Sequence, residues 1–241
     1  MVHPKAKTIA SVTILNSNPH SETKLMSEVQ FTKRTHYRTI LLFGAPGSGK
    51  GTQGKIIGTI PGFYHSATGD IFRSLDLTSE MGRKFQEYAG RGELVPDEFT
   101  IKLWRQYILG MEMINQFRPT TEFLVLDGLP RNPKQAELLK DIIEVSAIIY
   151  LRAEKVKMVE RLRRRALKEN RFDDASDVVI NKRMDVFEKE TRPVLDMYPT
   201  KLVTRIDATM SQIRVLGDIV EVLTPLKEAM DHENEGPLGH A

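Results

Sequence analysis

The chain contains no cysteine. That excludes disulfides, cysteine-ligated zinc and thiol catalysis, and it fits a reducing compartment. Nowhere does an apolar run approach the ~18 residues that a membrane-spanning helix needs. Neither sign of charge dominates: 35 Lys and Arg stand against 32 Asp and Glu, a net charge of +3. This mildly basic balance, with a sequence pI of about 9.0, suits anionic ligands in general but is too small to mark a nucleic-acid binder. Hydrophobic residues make up 40% and charged residues 28% of 241 positions. That is enough for one α/β domain with a sizeable core. The expectation is a soluble, cytoplasmic protein with neither membrane nor nucleic acid as partner.

Residues 1–37 show no apolar period and are rich in Ser, Thr, Asn and Lys, which predicts a flexible arm. The arm lacks the apolar core of a secretory signal. Its few acids and its hydroxyl residues also suit an organelle transit peptide over residues 1–25, and Met26 offers an alternative start. Residues 226–241, ending DHENEGPLGHA, predict a polar, disordered tail. Between these ends, short apolar runs predict buried strands at TILLF (39–43), EFLVLD (122–127), SAIIYL (146–151) and LVTRID (202–207), with GFYHSA (62–67) as a fifth. Amphipathic stretches at 98–114 and 133–145 predict helices. Such alternation argues for a parallel sheet covered on both faces. Two charged segments, 68–97 and 160–174, interrupt it as insertions on the side where strand ends bind ligands.

Glycine is concentrated where chemistry is expected. GAPGSGKGT (44–52) follows a predicted strand and opens a predicted helix. Its glycines let successive backbone N–H groups turn inward as an anion nest, and the helix N-terminus adds its positive end. Lys50 adds a full charge within reach of terminal phosphates. A GTPase would need an N-K-x-D motif; NKRMD (181–185) is one residue too long. Hydrolytic ATPases often carry a second carboxylate beside the strand-end aspartate, but here Gly128 follows Asp127. The loop therefore predicts phosphate binding, and the missing parts argue against hydrolysis.

Four further blocks follow in order: ATGDIFR (67–73), GRGELVPDE (90–98), DGLPRNPKQ (127–135) and RLRRRALKENRFDD (161–174). With the phosphate loop they make the chain resemble the adenylate kinases over roughly residues 38–225. The resemblance implies an α/β P-loop NTP-binding fold with a five-stranded parallel sheet. Its core would span 38–67, 98–159 and 175–225, with a monophosphate-binding insertion at 68–97 and a short lid at 160–174. It implies a monomer whose ligands are ATP, AMP and ADP, with ATP as co-substrate and Mg²⁺ as cofactor. Gly47, Ser48, Gly49, Lys50, Gly51 and Thr52 would hold the ATP phosphates, and Arg161 would flank the ATP base or its phosphates. Thr68, Arg73, Leu94, Val95, Gly128, Arg131 and Gln135 would bind AMP, joined by Arg171 and Arg183. Lys50, Arg131, Arg165, Arg171 and Arg183 would act on the transferring phosphoryl group, and Asp127 would hold Mg²⁺ through water.

Arginine fits these tasks because its planar fork meets phosphate oxygens bidentately. Arg161 and Arg165 are four apart and share a helical face, whereas Arg163 and Arg164 are expected to be solvated. Asp173 and Asp174 are expected to orient lid arginines, and His65 and Trp104 to pack. The lid departs from the family pattern at Ala166 and Asn170, where glycines are usual. One extra residue between Asp174 and Arg183, expected at Ala175–Ser176, makes Arg183 the least secure assignment. A UMP/CMP kinase and a non-catalytic nucleotide-binding protein remain as alternatives.

Overall fold

The structure, a computed structural model, describes residues 36–169, 174 and 176–235. Arg171, Asn170, Asp173, Ala175, the arm up to residue 35 and the end of the tail from 236 lie outside the described residues. Five strands form in chain order: β1 (Tyr37–Phe43), β2 (Phe63–Ala67), β3 (Phe123–Asp127), β4 (Ile143–Arg152) and β5 (Val203–Asp207). They line up as β2-β3-β1-β4-β5, with every neighbouring pair parallel. The helices are α1 (Lys50–Ile57), α2 (Thr68–Arg73), α3 (Glu80–Gly90), α4 (Asp97–Met113), α5 (Pro133–Leu139), α6 (Lys155–Glu169), α7 (Asp177–Val186) and α8 (Gln212–Glu235). A π-helical turn (Phe187–Thr191) continues from α7. This is the expected α/β fold, with all five predicted strands in place.

β1 shows why the strands read as continuous apolar runs. Tyr37, Leu41 and Phe43 face a core shared with Trp104, Ile108 and Leu139. Ile40 and Leu42 face the opposite core, with Ile57, Ile219 and Leu223. Both faces of a central strand are covered, so alternation disappears from the sequence. Each fully buried aliphatic side chain contributes about 1.5–3 kcal/mol. β1 lies between β3 and β4, so the chain leaves it in opposite directions and opens a crevice at the C-terminal ends of the strands. The Gly-rich loop sits there. A third cluster of Ala45, Met158, Leu162, Ile180, Met184 and Phe187 ties that loop to α6 and α7.

Three expectations are corrected. The helix expected over 133–145 stops at Leu139, and Ile143–Val145 belong to β4. Thr39 pairs with Val145 but Ile40 with Ala147, so Ser146 is an extra residue that the ladder absorbs as an irregularity. The tail expected from residue 226 is helical to Glu235. Met230 is buried there, Leu226 packs on the core, and Glu233 pairs with Arg38. The arm likewise ends earlier than expected, because Tyr37 is buried in β1. Helix α6 crosses position 160 without a break, so the lid segment begins inside a helix whose Leu162 is fully buried.

Candidate active site

The loop between β1 and α1 has left-handed backbone at Gly47 and Gly49 and a φ of 146° at Gly44. A Cβ on Gly47 would lie 2.4 Å from the Met158 carbonyl oxygen, and one on Gly44 would lie 2.6 Å from that of Leu151. Glycine is thus required by close approach to α6 and to the end of β4. Gly49 is the N-cap of α1 and supplies no side-chain bond, so the first N–H groups of the helix keep their donors for a ligand. The Ser48 hydroxyl is buried beside them without a partner.

Lys50 Nζ donates to the carbonyls of Gly44 at 2.5 Å and Ala45 at 3.1 Å. Burial pushes its pKa down to about 8; Asp127 opposes that shift, while Arg131, Arg165 and Arg183 reinforce it. These groups come from β3, the β3–α5 turn, α6 and α7, and they act on one ammonium. Asp127 closes β3. Burial pushes its carboxyl up, but the nearby His65 ring and the charges of Lys50 and Arg131 outweigh this and hold it below the usual range. His65, expected to pack, does so against α1: a Cβ on Gly54 would meet its Nε2 at 2.3 Å. It also stands 3.8 Å from the Asp127 carboxylate.

A cleft of about 780 Å³ joins these groups. Gly47, Ser48, Gly49, Lys50, Gly51, Thr52, Arg161, Asp127, Gly128, Arg131, Arg165 and Arg183 line it, as do Arg73, Leu94, Val95 and Gln135. Thr68 begins α2 and is buried with its hydroxyl unpartnered, but it does not line the cleft as its neighbours Ala67 and Gly69 do. Arg73 pairs with Asp70 at 2.5 Å. Arg131 Nε donates to the Gly128 carbonyl at 2.8 Å, and the Thr191 hydroxyl donates to the Arg131 carbonyl at 2.7 Å. Gln135 is almost fully buried, and its amide is bonded on both sides, to the Arg131 N–H and to Asp97.

At the other end, Asp174 has no exposed side-chain surface and binds both Arg165 and Arg183. The expected orienting role of Asp174 toward the lid arginines is therefore visible. Arg183 reaches the cleft despite the extra upstream residue, and Ser176 caps α7 by accepting from the Val179 N–H. Arg161 Nη2 donates to the Ala208 carbonyl at 2.8 Å. Arg163 is exposed in a bidentate pair with Asp177. Arg164 is exposed as expected and pairs with Glu160; it also reaches the cleft rim, because positions 161, 164, 165 and 168 share one face of α6.

Sequence reasoning did not assign Ala208, Met210, Gln212 and Val215, which line the cleft after β5. The rule that ligands meet the loops following parallel strands would have flagged them. It also gave no role to Thr191 or to Asp97.

Comparison with known proteins agrees with this geometry. The family model for adenylate kinase matches residues 42–203. An adenylate kinase of Cyanothece sp. is 34% identical over 195 residues, 78% of this chain and 96% of its own length. One from Kocuria rhizophila is 35% identical over 191 residues, 76% and 97% of the two chains. Adenylate kinase isoenzyme 1 of Gallus gallus is 33% identical over 201 residues, 83% and 97%. The family match begins inside β1 and ends inside β5, enclosing the whole cleft apart from its last wall, and so the chain belongs to the adenylate kinase family.

Proposed function

We propose that the cleft transfers the terminal phosphoryl group of ATP to AMP, reversibly, giving two ADP. The observation that carries this reading is that Lys50, Arg131, Arg165 and Arg183 line one cleft with Asp127 and act electrostatically on the same ammonium. Phosphoryl transfer demands alignment and charge neutralisation more than covalent chemistry, and that cluster supplies both. The loop 47–52 holds the donor phosphates, with its base between Arg161 and the segment at Ala208 and Met210. Leu94, Val95 and Gln135 take the acceptor base, and Arg73 and Arg131 its phosphate. The acceptor phosphate is already an anionic nucleophile, so no general base is needed. To reach the donor, Lys50 Nζ exchanges its two loop carbonyls for phosphate oxygens. Residues 68–97 and the end of α6 up to Glu169 flank the cleft, and excluding water from it would protect the transferring phosphoryl group.

Asp127 fits a magnesium site. No group of three His, Asp or Glu gathers among the described residues. A single buried carboxylate beside a phosphate nest suits Mg²⁺, which retains waters and takes phosphate oxygens as ligands. Bound with the nucleotide, the ion would neutralise charge on the phosphates. Asp127 would hold its waters, and Thr52 lies on the same wall.

A coupled assay of ADP formation, with MgATP and a panel of AMP, UMP and CMP, tests the reading. AMP is expected to be the preferred acceptor by at least about tenfold, the scale set by one unpaired buried amide. Equal turnover of UMP or CMP would transfer the protein to the pyrimidine kinases, and no turnover of any acceptor would leave a nucleotide-binding protein.

A further inference from the structure

The amide of Gln135 is held from two sides. Its Oε1 accepts from the Arg131 backbone N–H at 2.7 Å. Its Nε2 donates to Asp97 Oδ1 at 2.9 Å, and the same oxygen accepts from Asn132 Nδ2 at 2.8 Å. Asn132 Oδ1 in turn accepts the Gln135 N–H and caps α5. A backbone N–H only donates and a carboxylate only accepts. The orientation of the Gln135 amide is therefore dictated by its partners. The residue is 1% exposed, so water cannot take over either bond if the amide turns. Asp97 is the first residue of α4 and comes 38 positions before Gln135; it stands behind the glutamine and outside the lining of the cleft.

We infer that Asp97 is a specificity-determining positioning residue, which locks the Gln135 amide so that the acceptor site takes a 6-aminopurine and rejects a 6-oxopurine. This rests on the reading that Gln135 faces the acceptor base. Adenine offers an N6–H donor beside the N1 acceptor. The amide, oriented as it is, meets them with the second lone pair of Oε1 and the second hydrogen of Nε2. Hypoxanthine and guanine offer the reverse, an O6 acceptor beside an N1–H donor. Pairing with them requires the amide to turn over. Turned, its NH₂ would face the Arg131 N–H, donor against donor, and its oxygen would face Asp97, acceptor against acceptor. Both conflicts would be buried. The specificity thus lies in a carboxylate that does not touch the base.

Asp97→Ser removes one of the two conflicts, because a hydroxyl can accept from Asn132 Nδ2 while donating to the turned Gln135; Asp97→Asn does so only in part, since an NH₂ turned toward Gln135 deprives Asn132 Nδ2 of its acceptor. The experiment measures kcat/KM for AMP and for inosine monophosphate at saturating MgATP, and the affinity of each by titration calorimetry. The comparison covers the unaltered protein, Asp97→Asn, Asp97→Ser and Gln135→Leu. The inosine-to-adenosine ratio is expected to rise about tenfold in Asp97→Ser, the scale of relieving one buried unpaired polar group, and by less in Asp97→Asn, with the KM for ATP unchanged. A purely structural role would lower both acceptors together and leave the ratio alone. Asp97→Asn carries the test if Asp97→Ser folds poorly, and should shift the ratio in the same direction. If Gln135→Leu leaves selectivity among monophosphates intact, the placement of the acceptor base is wrong. If Gln135→Leu changes selectivity but both Asp97 variants keep the unaltered ratio within about twofold, well short of that tenfold scale, the inference about Asp97 alone is overturned.

Discussion

Replacing Lys50 with methionine should make the protein more stable and nearly inactive at once. The native state lowers the lysine pKa from 10.5 to about 8, through burial and the three arginines. At 1.36 kcal/mol per pH unit, that difference is roughly 3 kcal/mol of folding free energy opposed by the buried proton. Methionine keeps the length of the side chain and removes the charge. It also removes the bonds to the Gly44 and Ala45 carbonyls, which costs about 1 kcal/mol each. The net expectation is a gain of about 1 kcal/mol, or roughly 2–4 °C in Tm for a chain of this size. The sign changes with pH in a defined way. Below about pH 8 the native lysine holds its proton against its surroundings, and the variant keeps its full advantage. Between about 8 and 10.5 the native state has released the proton while the unfolded state still binds it, so the unaltered protein gains stability as pH rises and the difference closes. Turnover should fall by at least ~10²-fold, the scale of losing one preorganised charge. Calorimetric melting at pH 7, 8.5 and 10, beside the coupled ADP assay, reads both effects. A variant that melts several degrees lower, with a gap indifferent to pH, would refute the electrostatic argument. Near-normal turnover would refute the assignment of the loop to the donor phosphates.

Asp174→Asn should lower Tm by roughly 6–12 °C, since breaking a buried ion pair costs about 3 kcal/mol and this carboxylate serves both Arg165 and Arg183. A change below about 1 °C by calorimetry, far under that cost, would show that the arginines hold their places without it. Gly47→Ala places a methyl 2.4 Å from a backbone oxygen at a φ of +80°. It should weaken MgATP binding by at least about tenfold, because the nest cannot keep its shape; unchanged affinity by titration would mean that α6 yields instead. Ending the chain at Pro225 removes Leu226 and Met230 from the core. It should cost about 2–4 kcal/mol and melt the protein several degrees lower, whereas ending it at Glu235 should not; equal melting of the two would return residues 226–235 to the status of a tail.

The legibility of the fold depended on how each segment is covered. β1 and β3 lie between two cores, and their apolar runs admit no other reading once Gly follows. The start of β4 was obscured because KDIIEV satisfies a helical period as well as a strand, and only the pairing with β1 decides. The end of α8 was obscured by Pro225 and by polar DHENE. Yet Ile219, Leu223, Leu226 and Met230 recur at helical spacing across that proline. This stripe was a usable signal that the polar composition masked.

The site divides along a similar line. What the chain must do locally was legible: glycines where the loop meets α6 and β4, a lysine beginning a helix, arginines four apart on α6. What depends on distant segments meeting was less so. Asp97 bonds Gln135 across 38 positions, and Asp174, expected to orient lid arginines, also holds Arg183 on a second helix, through contacts that no local spacing encodes. The same holds for charge. A net balance of +3 gives no hint that the fold gathers Lys50, Arg131, Arg165 and Arg183 in one cleft. Two buried carboxylates divide the work of holding them. Asp127 faces Lys50 and Arg131, while Asp174 faces Arg165 and Arg183. Each carboxylate keeps its own cations in place, and Asp127 opposes the fall in the Lys50 pKa, yet burial first and then the repulsion of the three arginines still outweigh it. A ligand bringing several negative charges to the middle of the cleft would relieve that repulsion. The affinity proposed for paired polyphosphates and the penalty on the buried lysine thus share the same positive charge, and Lys50→Met, which removes that charge, should remove both.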